Sequence, residues 1–305
     1  MKQGLTISFL LLVTTSLLGQ GEIPRYDFNK MKGVDSIAVH ITGNRDSWQE
    51  VFYYQNDRRT KANYFHKRDL SYYRLFHYDD KRQLSFESYH GKSSKFDSDK
   101  DDWIEFWDPT SYRLTIRRFS GSQLIEEKNC NVNGSDTTVN QIATYTYDTK
   151  GRILSEVTQD VFIGLVGSFK SNSVDLKELG KKNETIVYSR TYKYHPGKIE
   201  VLYKRNETLT GKEIAGLDDK EQVTSINQYD HKNILLSETT ASYDEKGWLK
   251  SITWKTHSSM SIWGQEGDVV SDGTETIEYD NLGRPSVTLT IYTGDFKTKT
   301  EYKYY

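Results

Sequence analysis

The chain has 305 residues, a formal net charge of −2, 28% charged and 35% hydrophobic residues, 22 tyrosines, four prolines and one cysteine. Near-neutral charge removes the electrostatic case for nucleic acid, the few prolines and scarce low-complexity stretches argue against disorder, and a lone Cys130 excludes an intramolecular disulfide. The low apolar fraction, offset by tyrosines that bury a ring and keep the hydroxyl wet, suits a thin sheet better than a thick core.

In chain order, residues 1–21 read as a secretory signal. Lys2 is the basic start, Leu5 to Val13 the short apolar stretch, and the small residues that follow place the cut between Gly19 and Glu22. The apolar run is too short for a spanning helix, so no transmembrane segment is expected in the mature chain. Residues 22–305 are then one domain. Glu22 to Val34 is a lead-in, and Ser36 to Ile41 is the first strand.

From there Thr-, Val-, Ile- and Tyr-rich runs alternate with a repeated turn signal. The copies are Tyr78-Asp79-Asp80-Lys81-Arg82, Tyr147-Asp148-Thr149-Lys150-Gly151, Tyr229-Asp230-His231-Lys232-Asn233, Tyr243-Asp244-Glu245-Lys246-Gly247 and Tyr279-Asp280-Asn281-Leu282-Gly283. A four- or five-residue hairpin built on a type I turn wants an Asp at its entry and a residue with positive φ at its exit. Gly151, Gly247, Gly283 and Asn233 suit that exit. Arg82 does not, so its hairpin is expected to be strained or differently looped. Asp148, Asp230, Asp244 and Asp280 are therefore read as turn residues rather than ligands. Degenerate copies are expected at Tyr53-Tyr54-Gln55-Asn56-Asp57, Trp107-Asp108-Pro109 and Tyr194-His195-Pro196-Gly197.

Irregular insertions interrupt the rhythm near 160–183 and 255–273. The first carries an apolar patch, Val161 to Val166, and a short helix is expected at Val174 to Leu179. The last strand, Thr300 to Tyr305, carries charges on one parity that would protect a free edge. The first strand has none, so the lead-in or the apolar insertion near Phe162 is expected to cover it. The fold expected is all-β: an elongated antiparallel sheet of repeated hairpins with a short helical insertion.

The Tyr-Asp-x-x-Gly-Arg pattern at Tyr147 and Tyr279 resembles the YD repeat of RHS-repeat proteins, which include bacterial toxin shells and teneurins. The resemblance implies spiralling β-hairpin sheets. A chain of this length is too short for a toxin-enclosing shell, and no toxin domain is expected.

Chemistry is sparse. There is no HExxH, G-x-S-x-G, P-loop or GxGxxG, and the histidines lack ligand spacing. Asp97, Asp99, Asp101 and Asp108 have the spacing of positions 1, 3, 5 and 12 of a calcium loop, but Asp102 stands where the loop needs Gly. A solvated acidic turn competes with calcium there, and no other cofactor is implied. Trp248, Trp254 and Trp263 are the candidate ligand-binding aromatics, against the alternative of cross-strand packing. The function expected is an exported, non-catalytic protein of the periplasm, outer surface or extracellular space of a Gram-negative bacterium, binding a cell-envelope polysaccharide or a protein partner. The alternatives are a carbohydrate-active enzyme whose acids the sequence does not mark, or an accessory, immunity-like partner protein.

Overall fold

The structure is a computed structural model that describes residue 28 and residues 31–43, 47–97, 102–134, 136–162, 168–170, 173–175, 184–257, 269–293 and 296–305. The expected secretory signal and Trp263 lie outside these residues. Strands follow one another as β1 (Ser36–Gly43), β2 (Ser47–Gln55), β3 (Arg58–His66), β4 (Asp69–Tyr78), β5 (Leu84–Asp97), β6 (Asp102–Trp107), β7 (Ser111–Ser120), β8 (Gln123–Asn133), β9 (Asp136–Tyr147), β10 (Ile153–Phe162), β11 (Ser168–Lys170) and β12 (Ser173–Asp175). They continue as β13 (Glu184–His195), β14 (Lys198–Arg205), β15 (Thr208–Leu217), β16 (Val223–Asp230), β17 (Leu235–Tyr243), β18 (Leu249–His257), β19 (Val269–Tyr279), β20 (Pro285–Tyr292) and β21 (Phe296–Tyr304).

Successive strands pair antiparallel, and the array closes on itself. β1 pairs β2 on one side and β21 on the other, with Ile37 opposite Phe52 and Tyr304. Eighteen strands complete the ring. β6 stands outside it, paired to the upper part of β5 while β7 takes the lower part. The expectation of an elongated open sheet is thus overturned. The N-terminal edge is not covered by a lid but paired with the C-terminal strand, which removes the edge altogether. The short helical insertion is also overturned: among the described residues there is no helix, and Ser168–Lys170 and Ser173–Asp175 form a two-stranded hairpin.

Connections alternate between two rims. The rim where β1 begins and β21 ends, called lower here, carries the Tyr-Asp turns at Asp79, Asp148, Asp244 and Asp280. The upper carries Asp230 and both irregular insertions. Each turn is built the same way. The Asp148 carboxylate accepts from the N–H of Lys150 and of Arg152, at 2.8 and 2.9 Å, and Gly151 N–H donates to the Asp148 carbonyl at 3.0 Å. These donors, Arg152 N–H foremost, hold the Asp148 carboxyl below its ordinary value. The exit residues have positive φ: 80° at Gly151, 81° at Gly247, 76° at Gly283 and 66° at Asn233. Arg82, at 63°, makes the same loop, with its N–H on the Asp79 carbonyl. A further copy at Asp218, with Glu221 at φ 61°, lacks both Tyr and Gly. A register shift beside these turns marks the bulge that such loops bring.

The tyrosines explain why the motif begins one residue before the turn. On the lower rim each reaches back to the neighbouring hairpin and donates its hydroxyl to the first or second strand residue after the preceding lower turn. Tyr78 bonds the Arg59 carbonyl, Tyr147 that of Leu124, Tyr194 that of Ile153, Tyr243 that of Val223, Tyr279 that of Leu249 and Tyr304 that of Pro285, all within 2.6–2.8 Å. Tyr54 does the same to Phe28, so the lead-in occupies the place of a preceding turn. Phe28 stacks on Tyr302, and Met31 and Val34 are buried against Ile37, Phe52 and Tyr54. Neighbouring turns also touch: a Cβ on Gly283 would stand 2.5 Å from the Trp248 ring, so this position demands Gly for space as well as for φ.

Candidate functional site

Alternation along each strand, carried across the registers, sorts side chains into an inward and an outward set. Ile37, Phe52, Ala62, Arg74, Tyr89 and Arg113 share the inward face, as do Tyr192, Val201, Glu213, Gln228, Ser237, Thr239 and Trp254. The deeply buried residues are concentrated there, in two separate apolar clusters. Among the described residues, strands approach within 8 Å, Cα to Cα, only as ladder neighbours. A ring of this strand number is roughly 35 Å across between backbones, wider than inward side chains fill, so these residues line a lumen.

Most mid-strand arginines face inward and most strand lysines outward, Arg118 being an outward exception. Arg59, Arg74, Arg113, Arg117 and Arg190 face inward, while Lys61, Lys193, Lys212, Lys255, Lys299 and Lys303 face outward. Guanidinium groups tolerate a partly dry wall better than ammonium groups, because they spread their charge and stack on rings. Arg59, almost fully buried, lies 4.2 Å over the Phe76 ring and 5.2 Å from that of Phe52. Arg117 is held by Glu127 at 2.8 Å and Glu87 at 3.6 Å. Burial pushes the Glu50 carboxyl up to about 7, against the opposing pull of Arg59 and Arg74.

On β13–β18 the inward wall encloses a cavity of about 430 Å³. Tyr203 and Gln228 both donate to Glu213 Oε2, at 3.1 and 3.0 Å, and Ser237 donates to Gln228 at 2.9 Å. Burial, with the Glu213 charge beside it, raises the Tyr203 phenol well above its usual range. Trp254 lies at the cavity's edge, its indole filling the space above Gly273, where a Cβ would clash with it. Glu213 is the single carboxylate among the lining residues.

The candidate residues separate accordingly. Trp254 joins the cavity. Trp248 is at the lower rim, packed on Gly283 and 5.2 Å from the Tyr279 ring, which is a role in joining turns. Asp97 ends β5 opposite Asp102, while Asp99 and Asp101 lie outside the described residues. Asp108 accepts from the Thr110 hydroxyl and N–H at 2.7 and 2.9 Å, the bonds of a capped turn. Among the described residues no group of three His, Cys, Asp or Glu side chains could hold a metal. The lumen residues Arg74, Arg113, Glu213 and Gln228 escaped the sequence reading. The signal that could have found them is the parity of Arg against Lys within strands.

Together these features define a hollow antiparallel β-barrel with a polar, aromatic-studded lumen. No family model matches the chain, and no curated protein matches it. Among solved structures it is similar to a porin-like protein from Bacteroides uniformis, at 9% identity and a TM-score of 0.28 over 89% of this chain and 98% of that one. It is also similar to a mutant Tc holotoxin pore from Photorhabdus luminescens, at 9% identity and a TM-score of 0.17 over 82% of this chain and 19% of that one.

Proposed function

We propose that the protein is an exported, non-catalytic barrel that works in water and holds a saccharide in its lumen. The observation that carries this reading is the β13–β18 cavity. It combines an indole face at Trp254, phenols at Tyr192 and Tyr203, and a hydrogen-bonding row of Glu213, Gln228, Ser237 and Thr239. Apolar ring faces with a few oriented polar groups are what a sugar requires. Hydrolysis of a glycosidic bond needs a pair of carboxylates, and one alone lines the cavity.

The outward face supports an aqueous setting. A membrane-spanning barrel presents an apolar band, and a Lys at the bilayer midplane costs about 2–4 kcal/mol. Here Lys61, Lys212, Glu238, Lys299 and Glu301 face outward near mid-strand, with Thr240, Thr253 and Ser225 around the same ring. The reading of a membrane channel draws on the contrast between tight lower turns and longer upper connections, which spanning barrels share, and on exposed outward apolar side chains such as Phe86, Ile116 and Ile291. Carbonate extraction of cell envelopes separates the two. An aqueous barrel is released and a spanning one stays with the membrane.

Binding is tested by calorimetry of the purified mature protein against neutral and acidic envelope oligosaccharides. Micromolar to millimolar affinity, weakened at least about tenfold by Trp254→Ala, is expected. An absence of binding across the panel overturns the saccharide reading.

A further inference from the structure

Across the lumen from the Trp254 wall by strand count, β4, β5 and β7 place three inward residues in one cross-strand row: Arg74 opposite Tyr89, and Tyr89 opposite Arg113. The two guanidinium groups lie 5.8 and 5.4 Å from the Tyr89 ring, and Arg74 also lies 5.9 Å from that of Tyr64. Stacking fixes both planes without using their N–H donors. Neither arginine makes an ion pair among the described residues. Arg74 Nε is buried with no hydrogen-bond partner, and Arg113 is exposed.

The surrounding acids do not answer this charge. Glu87 and Glu127 share Arg117, and the second Glu87 oxygen, buried without a hydrogen-bond partner, makes no ion pair with Arg74 or Arg113 among the described residues. Glu50, which feels both Arg59 and Arg74, is pushed up to about 7 by its burial, so it carries only about half a charge at neutral pH. A buried donor without a partner is costly to leave unmade, and two ring-stacked guanidinium groups in one row match the oxygens of a carboxylate, sulfate or phosphate.

We propose that Arg74 and Arg113, with Tyr89 between them, form an anion site on the lumen wall, and that the saccharide held in the lumen is therefore an acidic one. The second half of this inference rests on the saccharide reading above; the first does not. Carboxylate, sulfate and phosphate share the required chemistry.

The test uses the purified mature protein, a tetrasaccharide of galacturonic acid, the same tetrasaccharide with its carboxylates reduced to alcohols, and inorganic sulfate. At physiological salt the acidic form should bind at least about tenfold tighter than the reduced form. Arg74→Gln with Arg113→Gln should erase that preference, while Trp254→Ala should weaken both forms alike. Equal affinity for the two forms in the unaltered protein, or a preference that survives the double substitution, overturns the acidic saccharide. If Arg74→Gln fails to fold, Arg113→Gln alone, at an exposed side chain, carries the test. Sulfate separates the two claims. If it raises the melting temperature of the unaltered protein but not of the double variant, the anion site stands even where neither tetrasaccharide binds and the saccharide reading falls. If it raises both alike, as sulfate excluded from any protein surface does, or raises neither, the anion site falls.

Discussion

The lower rim and the lumen wall belong to one barrel but are assembled by different rules. At the rim, five consecutive residues contain nearly everything a turn needs: the Asp148 carboxylate, the donors at Lys150 and Arg152, and the positive φ of Gly151. The wall has no such unit. Arg74, Tyr89 and Arg113 come from three strands, and Tyr203, Glu213, Gln228 and Ser237 from four. Local chemistry therefore tolerates drift, as Arg82 and Glu221 show by keeping the turn without Gly. The wall depends on register, because a slip of one residue would send every inward group outside.

The comparison can be broken at the wall first. In the unfolded chain Glu50 titrates near 4.5, and in the barrel near 7. Between those values the native state keeps a proton that the unfolded state has released. Stability therefore falls as pH rises through that window and is level above it, by roughly 3 kcal/mol in all. Glu50→Gln should flatten the profile in denaturant titrations at several pH values. An unchanged slope would show that the buried Glu50 carboxyl is not the source of the pH dependence.

At the rim, Gly283→Val forces a β-branched residue to positive φ against the Trp248 ring, and should cost about 2–3 kcal/mol in chemical unfolding. Gly121→Ala, with φ 62° and open space around it, should cost about 1 kcal/mol. Equal losses would mean that the contact between neighbouring turns contributes nothing. Tyr279→Phe removes one hydroxyl from the Leu249 carbonyl and should cost about 1 kcal/mol, with the fold intact by circular dichroism. The smallest effect is a gain. Lys67 and Arg68 form a two-residue upper turn with φ 48° and 76°, and replacing them by Asn and Gly should stabilise by about 0.5–1 kcal/mol in the same unfolding assay.

What was legible in the sequence follows the same division. The Tyr-Asp turns, the strand-rich composition and the positive φ positions could be read, because each is written within a few residues. The role of the tyrosine could not, since its acceptor lies in the neighbouring hairpin, as with Tyr194 and the Ile153 carbonyl. Closure was missed for a related reason. The charges on the outward parity of β21, Lys299, Glu301 and Lys303, protect a free edge or face water from a ring equally well, and strand pattern alone does not distinguish the two. Of the site, Trp254 was legible as an aromatic in a strand. Its partners were not, because Glu213 and Gln228 look like any polar residue until the register brings them onto one face.

The pairing of β1 with β21 has a consequence for the order of assembly. Every other ladder in the ring joins strands that are neighbours in sequence or, at β5–β7 and β10–β13, separated by a short insertion, and can form as the chain emerges. The ladder from Ile37 to Tyr304 joins opposite ends of the chain and is the one long-range closure in the ring. It waits until the last strand is available, and loop-closure entropy makes it the slow step. The backbone bonds of Asp35 and Ser36 with Tyr305 hold those ends side by side. A circular permutant that joins them through a short linker and opens the chain between Gly121 and Ser122 would turn that late step into an early hairpin. It would move the slow step to β7 and β8 instead, so refolding kinetics of the two chains would reveal which seam closes last.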